Sequence, residues 1–170
     1  MYLVENDLIG LVQYTHEDDK DFFECWQDIQ TQKGYNGIFC QSFDEFSKQE
    51  ISRFKFWVVI VDKRSNSKVG VLRLGIDEIC PDLAIWIYPA CRHRGFGKNA
   101  FRLALEYVFR YYKYDEISAG CYEDNAYSRR ILESLGFIRF PEGDALEIDC
   151  FTGEPITQRE YRIDRARIGL

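Results

Sequence analysis

Residues 85–98 have types and a spacing that could bind a phosphate group. An apolar run ends at Pro89, a turn with Gly95 and Gly97 follows, and a helical pattern then begins. The glycines let the main chain fold tightly, and the first N–H groups of a helix are unbonded and carry a positive partial charge. This pattern predicts an anion site, because consecutive N–H groups can point into one space. An ordinary strand-to-helix turn with solvated basic side chains is the alternative.

The charges around this turn favour the anion site. Residues 83–105 contain no Asp or Glu, in a chain that has 28 of them, and they include Arg92, Arg94, Lys98 and Arg102. The turn does not have the Gly-x-x-x-x-Gly-Lys-Ser/Thr pattern of a Walker P-loop. It also lacks the third glycine of a dinucleotide-binding fingerprint. We therefore expect a phosphate site of another kind.

The periodicity of apolar residues indicates which elements must position the turn. Strands are predicted at residues 8–15, 54–62, 69–77, 83–88, 116–122, 145–151 and 156–164. Helices are predicted from about residue 15 to residue 34 and at residues 42–51, 97–112 and 125–135. This order predicts one α+β domain over residues 1–170, with a mixed, mostly antiparallel central sheet of about seven strands and about four flanking helices.

The composition restricts the class of protein. The chain has 170 residues, of which 46% are hydrophobic, enough for one domain with a sizeable core. Its net charge of -6 argues against nucleic-acid binding and is compatible with cationic substrates such as amines. No apolar run is long enough to span a membrane. The six scattered cysteines and two histidines form no metal-binding pattern. The cysteines are predicted to be reduced thiols, as is usual in the cytoplasm.

Two motifs resemble those of a known family. The Pro-x-x-Arg-x-x-Gly-x-Gly sequence at residues 89–97 resembles the acyl-CoA signature of the GNAT N-acetyltransferases. The Asn-x-x-Ser sequence at residues 125–128, followed by Leu-Gly-Phe at residues 135–137, is similar to the second landmark of that family. In detail the motifs are most similar to the branch of ribosomal-protein N-terminal acetyltransferases (RimJ/RimL-like). The resemblance covers residues 54–164 well and the two predicted N-terminal helices more loosely.

The resemblance implies a fold and a set of cofactor contacts. It implies acetyl-CoA as co-substrate, no metal, and a central pair of strands that splay apart around the thioester. Main-chain N–H groups from Arg92 to Lys98 would hold the pyrophosphate, and residues 86–88 of the preceding strand would pair with the pantetheine arm. Asn125 would contact the pantetheine, and Ser128 would lie near the sulfur. The implied cofactor-binding residues are Trp86, Ile87, Tyr88, Arg92, His93, Arg94, Gly95, Phe96, Gly97, Lys98, Asn125 and Ser128.

Acetyl transfer to an amine requires a neutral amine, a stabilised oxyanion and a proton for the departing thiolate. Many family members donate that proton from a Tyr seven residues after the Asn, where this chain has Leu132. We predict Ser128 as the catalytic substitute, because it shares a helix face with apolar residues and should point inward. A serine bonded to a main-chain carbonyl one turn back is the alternative. Tyr122 and Tyr127 are further candidates.

No general base is evident from the sequence. The acids that could reach the acceptor lie in predicted loops, where solvated carboxylates are the ordinary interpretation; they are Asp77, Glu78, Asp82, Glu123 and Asp124. An α-amine has a pKa of about 8 and is partly neutral without a base, whereas a lysine amine has a pKa of about 10.4. A weak base would therefore fit an N-terminal α-amine or a similar acceptor better than lysine.

The sequence predicts an acetyl-CoA-dependent N-acetyltransferase that acts on a primary amine, either a protein or peptide N-terminus or a small molecule. The amine would attack the thioester directly, without a covalent enzyme intermediate. A catalytically inactive acyl-CoA-binding module is the alternative, since Leu132 replaces the usual acid, and an interaction domain without a cofactor is a second one. The expected partners are acetyl-CoA and the amine, without nucleic acid or membrane. Dimers are common in the family, so a homodimer is compatible with this prediction.

Overall fold

Two antiparallel β-sheets form the framework of the computed structural model, which describes residues 1–169. The strands of the first sheet, in spatial as well as chain order, are β1 (Val4–Glu5), β2 (Ile9–Gln13), β3 (Trp57–Asp62), β4 (Ser67–Leu74) and β5 (Leu83–Ile87). The strands of the second sheet are β6 (Glu116–Tyr122), β7 (Ile138–Arg139), β8 (Ala145–Ile148) and β9 (Pro155–Asp164). In this sheet β9 pairs with each of the other three strands.

Helices pack on these sheets, which confirms the predicted α+β class. Within residues 1–169 the α-helices are α1 (Asp19–Gln27), α2 (Ile29–Gly34), α3 (Phe43–Phe46), α4 (Phe96–Tyr111) and α5 (Ala126–Ser134). The longest of them, α4, buries an apolar face against β2, β4 and β5. No helix in the described part of the chain is long and apolar enough to cross a lipid bilayer.

The N-terminal helices differ from the prediction in two places. The first predicted helix is divided into α1 and α2 at Asp28, whose ψ of 127° is extended. The carboxylate of Asp28 accepts a hydrogen bond from the N–H of Thr31 at 2.8 Å. A side chain that bonds the main chain in this way begins a new helix instead of continuing the old one. The helix predicted at residues 42–51 is limited to the short α3.

The strands β5 and β6 are neighbours that diverge. A parallel bridge joins Asp82 to Ser118, and the N–H of Ser118 donates to the carbonyl of Pro81 at 3.1 Å. Beyond that bridge the two strands belong to separate sheets. The expected sheet of about seven strands is therefore divided into two sheets. The expected splayed pair consists of β5 and β6, the edge strands at which the two sheets meet. The gap between β5 and β6 is the feature that positions the site.

Two apolar clusters fix the helices on the first sheet. One lies between the sheet and α4 and includes Leu72, Phe101 and Val108, all buried. The other packs α1, α3 and Tyr35, the residue after α2, on the opposite face and is rich in aromatic residues such as Phe22 and Trp57. Burial of such side chains contributes roughly 1.5–3 kcal/mol each. The N-terminal helices and α4 are therefore held on opposite faces of the first sheet, whose edge strand β5 borders the gap.

Candidate active site

A cleft of about 420 Å³ runs through the gap between β5 and β6. One end is bordered by α4 and α5 and includes Gly95, Gly97 and Ser128; we call it the α4 half. The other end is bordered by α2 and the first sheet and includes Tyr35 and Trp86; we call it the α2 half. The two halves meet at the free edge of β5. A ligand bound in one half can therefore meet a ligand bound in the other.

The turn before α4 presents a row of unbonded main-chain donors. Within the described residues, no main-chain N–H group from His93 through Lys98 donates a hydrogen bond to the protein. The N–H of Arg92, which was expected to belong to this row, donates to the Pro89 carbonyl at 3.5 Å instead. Gly95 is the N-cap of α4 with a φ of 81°, and His93 has a φ of 60°. Glycine adopts this left-handed conformation without the clash that a Cβ causes, which explains Gly95. The free N–H groups and the positive end of the helix dipole together suit an anion.

Gly97 leaves room in the cleft. It is buried in the first turn of α4, and it lines the cleft. A Cβ at this position would lie 3.7 Å from Cγ1 of Ile87 and 3.9 Å from Cδ1 of Ile131, both ordinary contact distances. The helix would therefore accept an alanine, but the added methyl group would stand in the passage between β5 and α5.

The guanidinium of Arg92 is engaged with the protein, which corrects its expected contribution of free positive charge. It donates to three side chains at the start of α2: Asp28 Oδ2 at 2.7 Å, Thr31 Oγ1 at 2.7 Å and Gln30 Oε1 at 3.0 Å. Burial opposes ionisation of Asp28, but the bonds from Arg92 and Thr31 outweigh it and lower the pKa of this carboxyl. The candidate anion site therefore depends on main-chain groups, and the Arg92 side chain holds α2 against the turn.

The start of α5 places Ser128 in the α4 half of the cleft. Oδ1 of Asn125 accepts a hydrogen bond from the N–H of Ser128 at 3.0 Å and thereby caps the helix. Both residues line the cleft. In the described part of the chain the Ser128 hydroxyl makes no bond to a carbonyl one turn back, so it is available to a ligand. Leu132, on the same helix face, is buried and cannot donate a proton.

A tyrosine and a glutamate form a pair beside the cleft. The hydroxyl of Tyr122, a lining residue, donates to Oε2 of Glu147 at 2.8 Å, and Nδ2 of Asn36 donates to the same oxygen at 3.0 Å. Burial, and next the bond to Glu147, raise the pKa of Tyr122 well above its usual value. The phenol is therefore protonated at neutral pH. Sequence reasoning missed Glu147, because its strand has no motif and its partner is 25 residues away.

The rim of the α4 half includes some of the predicted residues and leaves out others. Tyr127 is half exposed, and its ring contacts the ring of His93 edge-on, with 5.5 Å between centroids. His93 and the buried Phe96 line the cleft. Lys98 and Arg94 do not line it, and Arg94 instead approaches a buried carboxylate of β3 at 3.9 Å. Their contribution to the candidate site is therefore limited to their main-chain N–H groups.

The free edge of β5 presents main-chain groups to the gap at alternate residues. The N–H of Tyr88 donates to a β4 carbonyl at 2.9 Å, and the same alternation directs the main-chain groups of Trp86 to β4. Those of Ile85 and Ile87 face the gap, and the Tyr35 hydroxyl donates to the Ile85 carbonyl at 2.5 Å. Of the predicted contacts at residues 86–88, Ile87 therefore offers main-chain groups to a ligand, whereas Tyr88 does not line the cleft.

The predicted acids differ in whether they reach the cleft. Asp82 lines its α2 half. Asp77 accepts main-chain N–H groups of its own loop, and Glu123 accepts a main-chain N–H group of β9. Glu78 and Asp124 are exposed and do not line the cleft. Asp82 is therefore the member of this set that could meet an acceptor directly.

The sequence matches a known family over most of its length. Residues 8–138 match the sequence profile of the acetyltransferase (GNAT) domain. This range includes the glycine turn, the cap of α5 and both strands that border the cleft. The chain belongs to the GNAT acetyltransferase family, and it is accordingly an acyltransferase.

Solved structures have a similar fold. A spermidine N-acetyltransferase from Vibrio cholerae, in complex with CoA and spermine, is similar with a TM-score of 0.85 and 17% identity, over 97% of this chain and 100% of that chain. A GNAT-family acetyltransferase from Bacillus anthracis is similar with a TM-score of 0.76 and 18% identity, over 96% and 98% of the two chains. At these identities the likeness concerns the fold. No curated protein sequence matches this chain significantly.

Proposed function

We propose that this protein is an acetyl-CoA-dependent N-acetyltransferase that acetylates a primary amine. The observation that carries the proposal is the row of unbonded main-chain N–H groups from His93 through Lys98 at the start of α4. A pyrophosphate suits such a row, because several of its oxygens can accept bonds at once and the helix dipole favours its charge. The turn also opens into a cleft, which an extended co-substrate requires.

The α4 half fits the remainder of coenzyme A. Gly97 leaves a narrow passage between β5 and α5, and the main-chain groups of Ile87 can pair with an amide-bearing arm as another strand would. Acetyl-CoA, when bound, supplies the acetyl group as a thioester. The residues of this chain bind it, orient it and exclude water from the apolar passage. None of these tasks calls for a metal.

Ser128 is the catalytic residue that we propose within this site. Its hydroxyl lines the cleft, holds a proton at Oγ and makes no competing bond to a carbonyl one turn back. Asn125 positions it by capping α5. Tyr122 is the second candidate, because its phenol is protonated at neutral pH and it also lines the cleft. In Tyr122, however, the proton is directed to Glu147.

The acceptor would enter through the α2 half of the cleft. We propose the α-amine of a protein or peptide N-terminus, or a small-molecule amine. The motif resemblance to the RimJ/RimL-like branch supports an N-terminal α-amine. The fold shared with a spermidine N-acetyltransferase solved with spermine supports a small-molecule amine and adds polyamines to that group. An amine that is partly neutral at pH 7 needs little help from a base, and Asp82 is the one cleft acid among those predicted.

The proposal extends to the domain organisation, location and partners of the protein. We propose that residues 1–170 act as one domain in the cytoplasm, as a monomer or a homodimer, without nucleic-acid or membrane partners. The acidic net charge of -6 supports the absence of nucleic-acid partners. The nearly complete coverage of both chains in the structural comparisons supports a single functional unit.

Calorimetric titration with acetyl-CoA and CoA tests the proposal. We expect the wild-type protein to bind both and Gly97→Glu to lose binding, because a carboxylate there would occupy the passage and repel the pyrophosphate. Ala166→Glu, on an exposed residue away from the cleft, adds the same charge as a control and should bind normally. A folded wild-type protein that binds neither ligand would overturn the proposal. Full affinity in folded Gly97→Glu would show that the glycine turn is not the site.

A further inference from the structure

Arg73 in β4 is a half-buried cation packed among aromatic rings. Its Nε atom is buried and unbonded, and its guanidinium forms no salt bridge within the described residues. Three aromatic rings surround it, with Cζ at 4.3 Å from the ring centroid of Phe54, 5.1 Å from that of Trp57 and 5.4 Å from that of Trp86. Burial lowers the pKa of Arg73. A partly desolvated charge without an opposite charge attracts an anion more strongly than a fully hydrated charge does.

The position of Arg73 connects it to the acceptor end of the cleft. Its cross-strand partner in β5 is Ala84, which lines the cleft and lies on the same sheet face as Trp86. Arg73 does not itself line the cleft, but Trp86, whose ring it contacts, is one of the lining residues. Of the guanidinium nitrogens, Nε is enclosed, whereas the two terminal nitrogens reach solvent without a partner in the described part of the chain.

An acid lies near Arg73 but does not neutralise it. The charge of Asp82 favours the protonated guanidinium, yet the two side chains form no ion pair. Oδ1 of Asp82 instead packs over Gly75, where it would be 2.0 Å from an added Cβ. Asp82, which lines the cleft, and Arg73, which lies beside the lining residue Trp86, are thus both without an ion-pair partner in the described residues. A ligand that carries both an amine and an anion could satisfy both.

We propose that the acceptor is a primary amine that also carries an anionic oxygen group, and that Arg73 binds this group. The inference rests on the proposed acetyltransferase function and names the class of its acceptor. A guanidinium presents a planar fork of donors that matches a carboxylate or a phosphate, and the surrounding rings strengthen the attraction by excluding water. Amino acids, short peptides and phosphorylated amines belong to this class. Polyamines such as spermidine, which the proposed function alone would allow, carry only positive charge and do not belong to it.

Matched acceptors test the proposal. The release of CoA is followed with ω-amino carboxylates of increasing length, with their carboxamides, with ω-aminoalkyl phosphates and with spermidine. We expect kcat/KM of the wild-type protein to be at least about tenfold higher for the carboxylates or the phosphates than for the amides. Arg73→Met should reduce that ratio to within about twofold while the KM for acetyl-CoA is unchanged. Arg110→Met, on the exposed face of α4, is the matched control and should keep the wild-type ratio.

Thermal unfolding separates a ligand-binding role from a structural one. Met fills a similar volume without an unpaired charge, so we expect the Tm of Arg73→Met to equal or exceed that of the wild type. A lower Tm together with an unchanged acceptor ratio would show that Arg73 serves the fold. Equal rates with carboxylates and amides, or a preference for spermidine, would also overturn the proposal.

A binding measurement decides the question if acetyl-CoA binds but no amine of the panel reacts. Trp57 and Trp86 contact Arg73, so their fluorescence reports on a ligand at this position. We expect the carboxylates or phosphates, but not the amides, to change it in the wild type and not in Arg73→Met. Equal responses to the charged and uncharged amines would reject the inference. Failure to bind acetyl-CoA would instead reject the proposed function.

Discussion

Arg92 of the glycine turn and Asp28 at the N-cap of α2 form an ion pair, with 2.7 Å between Nη2 and Oδ2. Both side chains are mostly buried, with exposed fractions of 20% and 24%. Thr31 joins the pair, because its hydroxyl accepts from the same nitrogen of Arg92 and its N–H donates to Asp28. The two halves of the cleft are therefore linked by a charged contact, in addition to the apolar packing on β5.

This contact should matter for stability. We expect Arg92→Met to lower the free energy of unfolding by about 2 kcal/mol, because it leaves the carboxylate of Asp28 without its charged donor. Urea denaturation measures the change. Arg167→Met is the control, since Arg167 pairs with Asp164 at 3.7 Å on the surface, and its effect should stay below about 0.5 kcal/mol. Equal effects of the two substitutions would show that the Arg92 contact is no stronger than a surface pair.

The same pair predicts a dependence of stability on pH. Bonds from Arg92 and Thr31 outweigh burial and lower the pKa of Asp28 in the folded state. Its contribution is therefore complete above the unfolded-state pKa of about 3.9 and is lost as the pH falls through the lower folded-state pKa. We expect the difference in unfolding free energy between the wild type and Asp28→Asn to shrink when the pH is lowered from about 7 to about 3. A constant difference over this range would contradict the assignment.

The two glycines of the turn should respond differently to alanine. Gly95→Ala places a Cβ at a φ of 81° and should destabilise the protein by about 1 kcal/mol. Gly97→Ala replaces a glycine within a helix and should stabilise the protein by about 0.5–1 kcal/mol, while its methyl group weakens binding of acetyl-CoA. Thermal unfolding and calorimetric titration of both variants measure the two effects. Normal affinity in Gly97→Ala would show that the passage between Ile87 and Ile131 is not used.

The proton donor can be identified by comparing hydroxyl groups. We expect Ser128→Ala to lower kcat at least about tenfold with little change in the KM for acetyl-CoA, because a positioned acid contributes only to the chemical step. Ser134→Ala, on the exposed side of the same helix, is the control. Tyr122→Phe should lower stability modestly through the lost bond to Glu147. A larger loss of kcat in Tyr122→Phe than in Ser128→Ala would assign the proton to the tyrosine.

Features that depend on neighbouring residues were predictable from the sequence. The glycine turn and α4 follow from the conformation that Gly95 adopts and from one periodic apolar face. The hairpin of β8 and β9 likewise follows from the Thr-Gly-Glu-Pro turn at residues 152–155. These signals lie within a few residues of the structure that they determine.

Features that depend on distant residues were not predictable. Arg92 was expected to add free charge to the turn, but its partner Asp28 lies 64 residues away. The environment of Arg73 was equally unpredictable, because the three rings that surround it come from other parts of the chain. The resemblance implied the splayed strand pair, but the residue patterns of β5 and β6 alone do not predict it, because only the pairing of these strands differs. No local pattern records such contacts.

The bridge between Asp82 and Ser118 has a mechanical consequence. It is the main-chain link found between β5 and β6 in the described residues, so each sheet keeps its own ladder of hydrogen bonds. The angle between the sheets is then fixed by side-chain packing, which can rearrange while both ladders remain complete. The apolar core that the two sheets share with α4 therefore sets the separation of β5 and β6, so the volume of its side chains determines the girth of the substrates that fit.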